Sequence, residues 1–138
     1  MDKNKVIGIA SDHAGFSLKG EVKKYLEGKG FECMDFGTNS EESVDYPDFI
    51  HPLAAKVNEG SLERAVIICG SANGVSMVAN KYENVRAAIC WNTEITKLAR
   101  MHNDANLIAL PARFIDRQSA LAFVEIFMNQ DFEGGRHL

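Results

Sequence analysis

Residues 65–74 read AVIICGSANG, and this stretch decides the fold. Its first five residues are small or β-branched apolar residues, and such a compact run predicts a buried strand. Glycines open and close the turn that follows, and a helix-like pattern then continues to Asn80. The stretch therefore predicts a strand, a tight turn and a helix in immediate succession.

The rest of the chain repeats this alternation. Further strands are predicted at residues 6–10, 31–36, 86–90 and 107–110, and further helices before Gly28, from Pro47 to Gly60, at about 92–101 and at 116–129. Short apolar strands that alternate with amphipathic helices imply right-handed crossovers and a parallel sheet covered on both faces. We therefore predict an α/β protein: one three-layer α/β/α, Rossmann-like domain over residues 1–138, with a five-stranded parallel sheet.

Charge and composition exclude several classes of function. Lys and Arg number 15 against 19 Asp and Glu, a formal charge of -4, so the chain lacks the basic field that favours nucleic acid or anionic membranes. The polar start and the lack of a long apolar run predict neither a signal peptide nor a membrane span. Three cysteines without a CxxC pair indicate reduced thiols and a cytoplasmic protein.

Polar residues follow two of the predicted strands. Asp12 and His13 follow the first strand, and Cys69 ends the third. Because ligands of parallel sheets bind at the carboxyl ends of the strands, we expect these residues to form one site. Cys69 also precedes a turn and a helix start, where N–H groups favour a thiolate, so its position indicates a lowered thiol pKa. A buried structural cysteine is the alternative interpretation.

The turn after Cys69 suits an anion but not a nucleotide. Its glycines let the backbone approach a phosphate or a developing oxyanion closely. The GxGxxG pattern is missing, and a Walker loop would need Gly-Lys-Ser/Thr where the chain has Gly74, Val75 and Ser76. A cysteine phosphatase would need an arginine in place of Val75. Four scattered histidines form no ligand pattern, so neither a metal nor a cofactor is expected.

Three further side chains are candidates for chemistry or binding. His102 could act as a general acid or base because its ordinary pKa is near neutrality, although a histidine that only ends a helix is the alternative. Arg113 and Arg136 could bind a phosphate through their guanidinium groups, and solvated surface charges are the alternative.

Six segments in order, spanning nearly the whole chain, carry a family resemblance. They read SDHAG (11–15), DYPD (45–48), CGSANG (69–74), ANK (79–81), HNDAN (102–106) and EGGRH (133–137). This ordered set resembles the B-type ribose-5-phosphate isomerases, a family shared with galactose-6-phosphate and allose-6-phosphate isomerases. The resemblance implies metal-free aldose–ketose isomerisation of a phosphosugar in pentose phosphate metabolism. It also implies a homodimer, or a pair of dimers, whose sites are built from both subunits.

The resemblance also implies a role for each candidate residue. Cys69 is the expected base, which moves a proton between C2 and C1 through a cis-enediolate, and His102 is the expected acid and base for opening the furanose ring. Ser71 and the backbone of its turn would bind the developing charge. The remaining substrate contacts are expected from Asp12, His13, Gly70, Ala72, Asn73, Gly74, Asn103, Arg113 and Arg136.

One departure bears on the base, and three alternative functions stay open. Relatives whose turn reads like this one use a glutamate just after it, but this chain has Val75 there and keeps Cys69. The alternatives are a hexose-6-phosphate isomerase, a noncatalytic phosphosugar-binding module and, ranked last, a thiol hydrolase that uses Cys69 and His102.

Overall fold

The computed structural model describes residues 5–38 and 47–134. The strands are β1 (Val6–Ser11), β2 (Glu32–Asp35), β3 (Ala65–Cys69), β4 (Ala87–Ile89) and β5 (Leu107–Pro111). The helices are α1 (Phe16–Gly28), α2 (Pro47–Asn58), α3 (Asn73–Ala79), α4 (Thr93–Met101) and α5 (Arg117–Asn129), and a short 3-10 turn (His13–Gly15) precedes α1. The predicted strands are confirmed to within one residue at either end. The polar loop predicted after Thr38 lies outside the described residues.

All five strands form one parallel sheet in the order β2-β1-β3-β5-β4. The predicted α/β architecture is confirmed, while the strand order is information that the sequence pattern did not contain. From β1 the chain moves outward to β2, and from β3 it continues on the other side of β1. The order therefore reverses between β1 and β3, and such a switch point leaves a crevice at the carboxyl ends of the two strands.

Helices cover both faces of the sheet. The central strand β3 is buried at every position, which explains why its sequence is apolar throughout rather than alternating. Ile67 packs on the α2 and α3 side, whereas Val66 and Ile68 pack on the side of α1, α4 and α5. The two apolar clusters fix the strand ends, and so the residues that follow them, in place.

Helix α4 runs back along the sheet, from the side where the strands end, here called the carboxyl edge, to the side where they begin, here called the amino edge. It follows β4 and precedes β5, so it begins at the carboxyl edge of the sheet and ends at the amino edge. Its first turn is capped by the Asn92 side chain, which accepts a hydrogen bond from the Ile95 N–H at 2.8 Å. Residues that follow α4 therefore lie far from the switch-point crevice.

All three cysteines are free. Among the helices of the described residues, none has the length and apolar character needed to cross a membrane.

Candidate active site

A hollow of about 390 Å³ opens at the switch point, at the carboxyl ends of β1, β3 and β5. This volume lies in the range of small-molecule sites, about 300–1,000 Å³. The hollow is lined by Asp12, His13, Cys69, Gly70, Ser71, Ala72, Gly74, Val75, Arg113 and Phe114. The structure thus brings together eight of the predicted site residues from three separate strand ends.

Asp12 links the first two of these strand ends. Its Oδ1 accepts a hydrogen bond from the Gly15 N–H at 2.9 Å, and its backbone N–H donates to the Ile68 carbonyl at 3.2 Å. Its Oδ2 lies 3.5 Å from the backbone nitrogen of Gly70. At Gly15 a Cβ atom would overlap the Ile68 carbonyl, so only glycine allows the chain to pass this close to β3. The carboxylate is therefore held against the turn that follows Cys69.

The turn after Cys69 has a fixed shape. Ala72 adopts the left-handed conformation, with φ of 68°, and its carbonyl accepts a hydrogen bond from the Ser76 hydroxyl at 2.7 Å. The Ser71 hydroxyl accepts from the Asn73 N–H at 3.4 Å. Ser71 and Asn73 are exposed, but Asn73 does not line the hollow. The turn thus presents its backbone and the Ser71 hydroxyl to the hollow, before α3 begins.

The thiol of Cys69 is not acidic. Burial is the main cause, and together with the negative charge of the Asp12 carboxylate it raises the pKa of Cys69 to about 12. The lowered pKa predicted from the strand-to-helix position is therefore wrong. The side chain is buried, and the charge that acts on the thiol is the negative charge of Asp12.

Two groups make the rest of the hollow suitable for an anion. The Nδ1 atom of His13 is buried and has no hydrogen-bond partner within the described residues. The Arg113 guanidinium packs on Gly70, where a Cβ atom would come within 3.3 Å of Nε. Arg113 is exposed, and no ion pair joins it to another residue in the described ranges. Its charge is thus available at the mouth of the hollow.

The structure does not bring His102 and Asn103 to this hollow. Both follow α4 at the amino edge of the sheet, and they line a second hollow of about 640 Å³. The five residues of β3 alone separate the two edges by roughly 15 Å. The His102 N–H donates to the Leu98 carbonyl at 2.9 Å, so the residue also ends the helix, as the alternative interpretation expected.

Arg136 lies outside the described residues. The chain just before it is placed by Glu133, whose N–H donates to the Met101 carbonyl at 3.0 Å. Glu133 therefore lies beside the end of α4, next to the residue that precedes His102. No group of three or more His, Cys, Asp or Glu residues placed to hold a metal ion occurs within the described ranges.

Sequence reasoning missed two residues of the hollow, Val75 and Phe114, and one buried charge outside it. Phe114, which is 75% exposed, stands at the mouth next to Arg113, and an aromatic residue directly after a strand-end arginine was the available signal. Lys19 is buried on α1, four residues after Gly15 and three before Val22. A lysine at the spacing of the apolar stripe was the signal for its burial.

Fold and site together define a doubly wound α/β protein with a small-molecule site at its switch point. A family model described as Ribose/Galactose Isomerase matches residues 7–138. The chain therefore belongs to the ribose/galactose isomerase family, as the resemblance of its six segments predicted.

Individual relatives agree with this assignment over nearly their whole length. The ribose-5-phosphate isomerase B of Escherichia coli is 37% identical over 96% of this chain and 89% of its own. A crystal structure of a ribose 5-phosphate isomerase from Thermotoga maritima is 45% identical, with a TM-score of 0.92 over 96% of this chain and 91% of its own. The ribose-5-phosphate isomerase B of Mycoplasma genitalium, solved with bound ribulose-5-phosphate, is 40% identical, with a TM-score of 0.91 over 96% and 88%.

Proposed function

We propose that this protein interconverts ribose 5-phosphate and ribulose 5-phosphate, as one domain acting in pentose phosphate metabolism in the cytoplasm. The observation that carries the proposal is the switch-point hollow, where a thiol, a carboxylate, a glycine turn and an arginine meet in a member of this isomerase family. The reaction moves one proton between C2 and C1 of the open-chain sugar through a cis-enediolate, and it needs no metal or cofactor.

Cys69 is the proposed base, and Asp12 prepares it. The raised pKa means that the thiol is protonated near neutral pH, so its proton has to leave before the sulfur can accept one from carbon. The Asp12 carboxylate lines the same hollow, its charge acts on the thiol, and it is the proton acceptor that the geometry offers. The thiolate then takes the C2 proton and returns it at C1 while a second proton moves from the C2 hydroxyl to the C1 oxygen, and the thiol is regenerated when Asp12 gives its proton back.

The turn after Cys69 would stabilise the enediolate. Removing a proton beside a carbonyl places negative charge on the sugar oxygens, and fixed donors reduce the barrier because they need no reorganisation. The backbone of Gly70 to Gly74 and the Ser71 hydroxyl supply polar groups at the required edge of the hollow. Asp12 and His13 would contact the sugar from the other wall.

Phosphate binding supplies the energy that positions the sugar. Arg113 is unpaired within the described residues and lies at the mouth of the hollow, where it can donate two hydrogen bonds to a phosphate. We assign the same role to Arg136. Binding energy from a group remote from the reacting carbons can hold C1 and C2 at the base.

Opening of the furanose ring is assigned to His102, supplied by a second copy of the chain. Within one chain His102 and Asn103 lie at the sheet edge opposite Cys69, so they cannot touch a sugar bound in the switch-point hollow. A homodimer in which each amino edge meets the partner's carboxyl edge would complete two sites, with Asn103 orienting the substrate. A pair of such dimers fits the same geometry.

The second candidate is isomerisation of a hexose 6-phosphate, which the family description favours because it includes galactose isomerases. Steady-state kcat/KM for ribose 5-phosphate, galactose 6-phosphate and allose 6-phosphate decides between the two. We expect the pentose to be preferred by at least about tenfold, since one extra carbon changes binding by about 1–3 kcal/mol. Preference for a hexose would establish the second candidate, and folded protein without turnover of any of the three would leave the binding-module interpretation.

A further inference from the structure

Lys19 is a buried lysine with two oxygen partners. Only 3% of the residue is exposed, although lysine is a charged residue and α1 covers the outside of the sheet. Its Nζ atom donates to Asp35 Oδ1 at 2.8 Å and to the Thr38 carbonyl, and it lies 5.6 Å from the centre of the Phe16 ring. A buried charge is costly unless it is paired and hydrogen-bonded, so these contacts account for its tolerance inside the protein.

The partners of Lys19 belong to the segment that pairs with the end of β1. The Gly37 carbonyl accepts from the Ser11 N–H at 2.7 Å, and the Thr38 N–H donates to the Ser11 carbonyl at 2.8 Å. Asp35 Oδ1 also accepts from the Gly37 N–H at 2.9 Å, which closes the segment on itself. Residues 35–38 therefore form a support, and Lys19 joins this support to α1.

The support holds Ser11, the residue that directly precedes the substrate-facing residues. Ser11 is the last residue of β1, and Asp12 and His13 follow it into the hollow. Neither Lys19 nor Asp35 lines the hollow, so any effect on binding would pass through the backbone of Ser11. The chain is held on one side by β3 and on the other side by residues 37 and 38.

We propose that Lys19 is a positioning residue for substrate binding: by holding residues 35–38 against Ser11 it sets where Asp12 and His13 meet the phosphosugar. The inference rests on the proposed function, because it takes Asp12 and His13 as substrate contacts. Displacements of about 1 Å in a binding group are enough to change kinetic constants by one to two orders of magnitude.

Lys23 provides a matched control. It lies one helical turn further along α1 and contacts the same carboxylate, with Nζ 3.6 Å from Asp35 Oδ2. Its side chain is 36% exposed, whereas that of Lys19 is 4% exposed, and its contact reaches the other carboxylate oxygen. Replacing Lys23 removes a similar charge from Asp35 but leaves the hydrogen bonds of residues 35–38 in place.

The test compares Lys19→Met, Lys23→Met and the wild type in steady-state kinetics with ribose 5-phosphate. We expect Lys19→Met to raise KM about tenfold and to lower kcat by a similar factor, because the displaced Asp12 both contacts the sugar and accepts the proton of Cys69. Lys23→Met should keep both constants. A purely structural role predicts lower resistance to urea with unchanged KM in the folded fraction, and that result would overturn the inference.

Two further measurements keep the test decisive. If Lys19→Met does not fold, Asp35→Asn takes its place, since it keeps the ammonium on Thr38 and weakens the support; an unchanged KM would again overturn the inference. Amide ¹⁵N spectra without substrate should show shifted Asp12 and His13 signals in the Lys19 variant and not in the Lys23 variant. These spectra do not depend on turnover: an inactive wild type would defeat the proposed function, whereas unshifted signals in the Lys19 variant would overturn the positioning.

Discussion

Cys69 and His102 lie at opposite edges of one parallel sheet, Cys69 at the end of β3 and His102 after the end of α4. The separation follows from the connectivity, because α4 runs back from the carboxyl edge to the amino edge before β5 begins. A reaction that uses both residues on one sugar therefore requires two chains. The proposed dimer can thus be tested by complementation between two inactive variants.

We predict that two inactive variants restore activity to each other. Cys69→Ala and His102→Asn should each be nearly inactive, because each variant dimer lacks the same residue in both of its sites. When the two chains are co-expressed, half of the dimers contain both chains, and one of their two sites has every wild-type residue. The mixture should therefore recover about 25% of wild-type turnover of ribose 5-phosphate.

The control for this experiment uses Cys69→Ala with Asp12→Asn. Both residues lie in the same hollow, so no site in the mixed dimer is intact and activity should stay absent. Recovery in this control, or none in the first mixture when both chains fold, would contradict a site shared between subunits.

The charge of Asp12 should control the ionisation of Cys69. Asp12→Asn removes the carboxylate charge, which after burial is the largest effect that raises the thiol pKa, so that pKa should fall from about 12 while burial keeps it above the ordinary value. The thiolate then forms at lower pH, and alkylation of Cys69 by iodoacetamide should become faster between about pH 8 and 10. Peptide mass spectrometry as a function of pH measures this rate.

Cys33 is the internal reference for the alkylation experiment. Its pKa is raised to about 11, mainly by burial and then by charges that do not include Asp12. Its rate should therefore be the same in both proteins. If the alkylation profile of Cys69 also stays unchanged, the Asp12 carboxylate does not govern the ionisation of the base.

Gly15 should tolerate no side chain. Its Cβ atom would overlap the Ile68 carbonyl in the backbone of β3, so Gly15→Ala should lower the free energy of unfolding by about 1–3 kcal/mol. Gly20 is the matched control, since it lies on the exposed side of α1 with no atom within 4 Å of an added Cβ. Gly20→Ala should raise stability by about 0.5–1 kcal/mol.

Urea unfolding followed by circular dichroism measures both Gly→Ala variants. Equal effects at the two glycines would contradict the close approach of Gly15 to β3 that places Asp12 in the hollow.

The strands and helices could be predicted because their signals are local. An apolar run such as Ala65–Cys69 and a cap such as Asp116, whose side chain accepts from the Ser119 N–H at 2.7 Å, need only their neighbours in sequence. The sequence also predicted that Asp12 and Cys69 lie close together, because parallel strands end at the same carboxyl edge of the sheet. The family resemblance then supplied the chemistry.

What could not be predicted depends on packing between distant residues. The prediction of a lowered thiol pKa was wrong because the position of Cys69 in the sequence does not show how deeply the side chain is buried. It also does not show that the carboxylate of Asp12, 57 residues earlier, acts on the thiol. The ion pair of Lys19 with Asp35 joins residues 16 positions apart, and its burial depends on the strand order. The distance of His102 from the hollow likewise depends on which edge of the sheet α4 reaches.

The central claim is that Cys69 transfers the proton between C2 and C1. The direct test is NMR of ribose 5-phosphate in heavy water with the wild type and with Cys69→Ala, both shown to be folded by circular dichroism. We predict that the wild type forms ribulose 5-phosphate with deuterium at C1, and that Cys69→Ala gives neither conversion nor exchange. Exchange at near wild-type rate in Cys69→Ala would contradict the assignment of the base.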